Sequence, residues 1–245
     1  MIALYDLANR PATFDIAQFL AVAGAHGADH VRFVLGGWKK KNYSIAQAEE
    51  RWKSIVEPMP ALFGMTYSIG PREGIEYPHM IYDVVNAYKE HGRIGRIRFP
   101  VIDRGYVTVT LRNSRTPERN TKDAEWRKFA ARCDRKVIVI PDYEDRPLAL
   151  QDRMALYAGA HMNLMVSNGP TVLCALSGAP YISMRTIGCE KSVSTSPAFM
   201  AAMGIAPGFQ FPWSNANQRL SYLDDTLENI ESEYARYSTA YMRAA

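Results

Sequence analysis

The chain has 245 residues, 47% of them hydrophobic, with 29 Lys and Arg against 25 Asp and Glu for a formal net charge of +4. This is the composition of one large or two small globular domains, and the three cysteines, Cys133, Cys174 and Cys189, lack the CxxC spacing and even count of a zinc site or disulfide framework. No apolar run approaches the roughly 20 residues of a membrane helix, and the start Met1-Ile-Ala-Leu-Tyr-Asp-Leu lacks the basic and apolar regions of a signal peptide, so a cytoplasmic setting is expected.

In chain order, Ile2 to Tyr5 reads as a short strand ending at Asp6, followed by the polar knot Asn9-Arg10-Pro11 and a helical pattern from Phe14 to Ala25. His30 to Leu35 is a second strand, closed by Gly36-Gly37. Ser44, with Gln47 three residues on, forms a capping box, and the helix behind it carries Ile45, Ala48, Trp52, Ile55 and Val56 on one side until Pro58 and Pro60 stop it. Met65 to Ile69 is a third strand. The rhythm β-α-β-α-β predicts a small parallel sheet with helices packed on it. The segment from Gly70 to Pro78, rich in proline and glycine, breaks that rhythm. Pro78-His79 then opens a helix with Val84, Val85 and Tyr88 on one face, ending at Gly92.

A second half starts with the β-branched run Tyr106 to Leu111, followed directly by Arg112. The polar loop from Asn113 to Thr121 leads to a helix with Trp126, Phe129, Ala130 and Cys133 on its apolar side. Lys136-Val-Ile-Val-Ile140 has the character of a buried parallel strand and ends at Pro141-Asp142. Leu148 to Ala160 is the next helix and Met162 to Val166 the next strand. Ser167-Asn168-Gly169-Pro170-Thr171 then turns tightly into a helix: an N-capping side chain, a glycine, and a proline where a missing N–H costs nothing. Pro180 to Met184 is a further strand, followed by a loop from Arg185 to Pro197, a short helix and Gly208 to Trp213. The last helix, from about Asp224, carries Leu227, Ile230, Tyr234, Tyr237 and Tyr241 as a docking stripe. The expected fold class is α/β with two doubly wound parallel-sheet halves: residues 1–78, a connecting helix and basic segment over 79–104, and residues 105–245.

Ligands of open parallel sheets bind beyond the carboxyl ends of the strands. In the second half those ends carry Arg112, Asp142, the turn Ser167 to Thr171 and Arg185, and the loop after Arg112 adds Arg115 and Arg119. Guanidinium groups and a helix N-terminus facing one crevice make an anion site: charge-assisted bonds contribute about 1.5 to 3 kcal/mol each and the dipole roughly 0.3 to 1 kcal/mol. Each member also has an ordinary alternative, as a surface ion pair, a loop-capping carboxylate or a solvated face. Their joint placement favours anion binding, and the clustering of Arg93, Arg96, Arg98, Arg104, Arg112, Arg115 and Arg119 agrees with it. The five histidines, His26, His30, His79, His91 and His161, have no metal-ligand spacing. No DxD stands at a strand end, Asp142-Tyr-Glu-Asp145 and Asp224-Asp225 coming nearest. Neither a metal nor a cofactor is expected.

Two Rossmann-like halves, the strand-terminal arginine of Val109-Thr-Leu-Arg112, and Val166-Ser-Asn-Gly-Pro-Thr171 opening a helix in the penultimate unit resemble the GT-B glycosyltransferases. Within them the likeness is to the heptosyltransferase-like and fucosyltransferase-like enzymes that use nucleotide-diphosphate sugars. The resemblance implies two halves facing a central cleft, with the nucleotide-sugar donor on the second and a glycan or other hydroxyl acceptor on the first. It also implies a long C-terminal helix that packs back on the first half. Arg112 and the amides from Asn168 to Thr171 would hold the diphosphate, and Asp142 a ribose or base. The general base would come from the first half, where Asp6 stands at the matching strand end and His79 is a second candidate. This chain is shorter than typical members, and the turn has Ser167-Asn168 where the family usually carries an acidic or threonine-serine pair, so no donor preference is carried over. A sugar-nucleotide epimerase on the same fold and a non-catalytic nucleotide or anion sensor are the alternatives. Nucleic-acid binding through Arg93 to Arg119 ranks last, because aromatic interleaving is missing; peripheral membrane contact through basic residues stays open.

Overall fold

The structure, a computed structural model, describes residues 1–36, 44–114, 117–143, 147–188 and 195–244, with 143 and 238–244 described as backbone. The chain forms two compact units. Unit 1 comprises residues Met1–Pro100 and Pro147–Met154, and unit 2 comprises Val101–Arg146 and Ala155–Ala245.

In unit 1 the strands β1 (Ile2–Asp6), β2 (His30–Val34) and β3 (Thr66–Ile69) pair in parallel in the order β1-β2-β3. Helix α1 (Asp15–Ala25) links the first two. Helix α2 (Ile45–Arg51), a wide π-type turn over Trp52–Val56 and the short α3 (Met59–Leu62) link the second and third. The capping box forms as expected: Ser44 Oγ accepts from Gln47 N–H at 3.2 Å while Ser44 N–H donates to Gln47 Oε1 at 2.9 Å. Tyr5, Phe19, Phe33 and Trp52 meet edge to face in the core, with ring centroids 4.7 to 6.0 Å apart.

Among the named strands the order β1-β2-β3 runs one way, and two successive right-handed crossovers in the same direction put both connections on one face. On the other side of β1 the chain pairs once more in parallel, Ala3 with Ile75, through Ile75 N–H to Ile2 O at 3.0 Å and Leu4 N–H to Ile75 O at 2.8 Å, so the reversal expected of a doubly wound sheet is reduced here to a single bridge. Helix α4 (Ile81–His91), the helix of the connecting segment, packs along α1 and belongs to unit 1. It stops at Gly92, whose φ of 66° is the left-handed conformation that suits a glycine after a helix.

Just beyond, Gly95 N–H donates to Ala21 O at 2.8 Å. A Cβ on Gly95 would stand 2.7 Å from Leu20 O, and one on Gly24 would stand 2.7 Å from Gly95 Cα. Both obstacles are backbone and cannot swing aside. Gly95→Ala is therefore expected to destabilise the protein by about 1 to 3 kcal/mol, the usual range for overpacking, measured by urea unfolding. A midpoint equal to that of the wild type would contradict this close approach.

In unit 2 the strands β4 (Tyr106–Asn113), β5 (Val137–Tyr143), β6 (Ala160–Val166), β7 (Tyr181–Met184) and β8 (Gln218–Leu220) are all parallel, in the order β5-β4-β6-β7-β8. The unit's first strand thus has neighbours on both sides, and the order reverses between β4 and β6. This half is doubly wound, as expected. Helices α5 (Asp123–Arg132), α6 (Leu150–Gly159), α7 (Thr171–Leu176), α8 (Pro197–Ala202) and α9 (Leu227–Ala244) complete it, the first residues of α6 belonging to unit 1.

Strand residues such as Val109, Leu164 and Ile182 pack against Trp126 and Phe129 of α5 and against Ile230, Tyr234 and Tyr237 of α9. The stripe on α9 is used against α5 and β7 of its own unit; the Tyr241 side chain lies outside the described residues. Strand β8 is not legible in the sequence. Gln218 Nε2 faces three carbonyls at the end of α7, Cys174 O, Ser177 O and Ala179 O, at 2.7, 2.9 and 3.1 Å, and so satisfies acceptors that a helix end leaves open. Among the described residues, no helix is long and apolar enough to cross a membrane.

Candidate functional site

Reversal of strand order opens a crevice at the carboxyl ends of the two strands that diverge, and this is where ligands of doubly wound sheets bind. In unit 2 those strands are β4 and β6. Arg112 stands near the end of the first and Ser167 directly follows the second. Arg112 spans the gap: Nη1 donates to Ser167 O and Nη2 to Ser114 Oγ, both at 3.4 Å. Both bonds are long for N–H···O geometry, and an anionic oxygen, which draws such donors to about 2.7 to 2.9 Å, would replace the one to Ser167 O.

Beside this bridge Arg119, Val166, Ser167, Arg185, Gly188 and Thr195 line a small open cleft. Arg119 closes a single 3-10 turn, Pro117–Arg119. Asp142, like Arg112, stands one residue before the end of its strand, and the two pair in register on neighbouring strands. Arg115 lies outside the described residues.

The turn into α7 differs from the expected array of amides. Asn168 and Thr171 cap each other: Asn168 N–H donates to Thr171 Oγ1 at 3.2 Å, while Thr171 N–H and its hydroxyl donate to Asn168 Oδ1 at 3.0 and 2.9 Å. Thr171 N–H also faces Asn168 O at 3.2 Å, and Pro170 has no N–H. That leaves Gly169 N–H and the buried Asn168 Nδ2 as the turn's amide donors without a partner among the described residues. With α7 only six residues long, the guanidinium of Arg112 outweighs the turn as an anion ligand.

Arg185 is engaged elsewhere. Its Nη1 donates to Asn120 O at 2.8 Å and to Asp225 Oδ1 at 3.3 Å, and its Nη2 donates to Glu118 O. Its φ of 51° makes it the only non-glycine residue in the left-handed region among the described residues. That conformation costs about 1 to 3 kcal/mol and persists only where the surroundings hold it.

In unit 1, Asp6 ends β1 as a buried carboxylate. Its Oδ1 accepts from Ala8 N–H at 2.9 Å, and its Oδ2 accepts from Asn9 Nδ2 at 2.9 Å and pairs with Arg72 Nη1 at 3.2 Å. These bonds fix the turn after the strand. His79 does not head a helix, since α4 begins at Ile81 with Met80 as its cap. Arg10 Nη1 lies 2.7 Å from His79 Nδ1. A guanidinium only donates, so Nδ1 must accept and the ring proton sits on Nε2. In this geometry His79 has no lone pair with which to take a further proton, which counts against a role as base.

Sequence reasoning missed Arg10, noting it only as part of a polar knot. It is buried, with Nη2 2.6 Å from Tyr77 O and its guanidinium over the rings of Tyr5 and Phe19 at 5.5 and 5.2 Å. Nearby, burial pushes the Asp83 carboxyl above its ordinary value, and the Met80 N–H, His79 and Arg10 offset only part of that rise. Among the described residues, no group of three or more His, Cys, Asp or Glu could hold a metal ion.

Fold and crevice together define an α/β protein with a Rossmann-like second unit and an arginine over its switch point. No protein-family model and no curated protein matches the sequence. Among solved structures, the E. coli heptosyltransferase WaaC with ADP is similar, at 12% identity and a TM-score of 0.50, over 97% of this chain and 100% of that one. The chain thus has a GT-B glycosyltransferase-like fold.

Proposed function

We propose that this protein is a glycosyltransferase that moves a sugar from a nucleotide-diphosphate donor to a hydroxyl of a glycan or other acceptor, without a metal. The observation that carries the reading is Arg112 bridging the ends of β4 and β6 at the point where the sheet reverses. That the similar heptosyltransferase structure contains ADP, a nucleoside diphosphate, agrees with it.

In this reading residues 105–245 take the donor and residues 1–78 the acceptor, with 79–104 between them. Arg112 neutralises charge on the departing diphosphate, the role a metal plays elsewhere, assisted by Arg119, Gly169 N–H and Asn168 Nδ2. Ser167, Pro170 and Thr171 shape the turn, Asp142 holds the ribose or base, and Asp6 takes the proton from the acceptor hydroxyl. A thermal-shift panel with UDP, GDP, ADP and CDP tests the donor half. At a concentration of a hundred times Kd, binding adds about 2.7 kcal/mol of stability, so at least one nucleotide raises the melting temperature. Four flat responses would exclude the reading.

The bonds already made by Asp6 and His79 favour a second reading, a non-catalytic nucleotide or anion sensor. Asp6→Asn separates the two. Loss of sugar transfer with nucleotide binding intact supports the enzyme, whereas binding without turnover in either protein supports the sensor.

A further inference from the structure

Arg119 has the carbonyls on both sides of it, Glu118 O and Asn120 O, held by the one guanidinium of Arg185. That guanidinium is itself matched by charge, with Asp225 Oδ1 at 3.3 Å and Asp224 Oδ1 at 3.8 Å, so it is a clamp rather than a phosphate ligand. The clamp continues through Asn120. Its Oδ1 accepts from Ser114 N–H at 2.8 Å and from Ser114 Oγ at 3.0 Å, and its Nδ2 donates to Ser114 O at 3.0 Å. Thr121 N–H closes the loop on Arg112 O at 3.2 Å. Because the Ser114 hydroxyl proton points to Asn120, the oxygen's lone pairs are left to accept from Arg112 Nη2.

We infer that Arg185, Asn120 and Ser114 form a relay of positioning residues that sets the direction of the Arg112 guanidinium and the seat of Arg119 for a diphosphate. This rests on the donor site proposed above. The left-handed backbone of Arg185 fits a clamp, since such a conformation persists where contacts hold it, and here the side chain holds two carbonyls while the amide donates to Leu223 O at 3.0 Å.

The test uses the full chain, with whichever of UDP, GDP, ADP and CDP the wild type binds and the corresponding nucleoside. In Asn120→Ala and Ser114→Ala the relay predicts about a tenfold loss of diphosphate affinity with nucleoside affinity unchanged. Ser114→Thr, which keeps the hydroxyl, should lose less. Amide exchange of Ser114 and Thr121 in the unliganded Asn120→Ala protein should quicken at least tenfold, while exchange in β6 stays at the wild-type rate.

A loss shared equally by nucleoside and diphosphate, or unchanged exchange at Ser114, would overturn the relay. If Asn120→Ala does not fold, Ser114→Ala alone decides, since it removes a single hydroxyl. Diphosphate binding by the wild type with equal binding by both variants removes only the relay; a wild type that binds none of the four removes the donor site itself.

Discussion

Arg112→Ala is expected to lower affinity for a nucleoside diphosphate by about two orders of magnitude, close to 3 kcal/mol. Two charge-assisted bonds to phosphate, at about 1.5 to 3 kcal/mol each, reach that figure. The turn into α7 cannot make up the loss, because Asn168 and Thr171 spend their amides on each other and Pro170 has none. Arg112→Lys should recover only part of the affinity, since an ammonium replaces the charge but not the planar fork. Calorimetric titration of the three proteins checks this order. An alanine variant within twofold of the wild type would show that the phosphates lie elsewhere.

The second large effect is on stability. Asp225 is fully buried, yet it accepts from Trp126 Nε1 at 2.8 Å and Lys122 N–H at 2.9 Å and pairs with Arg185 at 3.3 Å. It joins α5, the end of β7 and the start of α9. Truncating it in Asp225→Ala strands a buried indole N–H, a backbone N–H and a guanidinium whose side chain is only 18% exposed. Breaking a buried pair in this way costs about 3 to 5 kcal/mol. At about 2 to 4 °C per kcal/mol for a protein of this size, the melting temperature should fall by roughly 10 °C. Asp225→Asn keeps an acceptor and should lose less. Urea midpoints for the three proteins test the claim, and a loss below about 1 kcal/mol in the alanine variant, the level of an ordinary surface change, would refute it.

Much of unit 2 was legible because its strands are short β-branched or apolar runs, each ending in a residue with chemistry: Leu111 before Arg112, Val166 before Ser167. The capping box at Ser44 was legible for the same reason, since both partners lie within one turn. Strand order was not. The pattern β-α-β-α-β is the same whether a sheet grows one way, as in β1-β2-β3, or reverses, as between β4 and β6. Only packing of distant surfaces decides between them.

The same limit hid the side chains whose partners are far away in sequence. Arg10 is buried because it meets a carbonyl 67 residues on, and Arg185 because it meets the loop 65 residues back. Strand β8 has three residues and no alternation, and it exists because Gln218 fits the end of α7. The turn at Asn168 was visible as a turn, but its inward-facing amides were not, because Thr171 can cap Asn168 or leave it open with the same sequence. The destination of the C-terminal stripe was also open: Tyr234 and Tyr237 fit α5 of their own unit as well as they would any other apolar face.

A crystal structure of the protein soaked with the best-binding nucleoside diphosphate asks the decisive question. The β-phosphate should lie within about 3 Å of the Arg112 guanidinium, over the gap between β4 and β6, with Gly169 N–H as a second donor. Density for the diphosphate away from that gap, with Arg112 still reaching Ser167 O, would contradict the assignment of this crevice as the donor site.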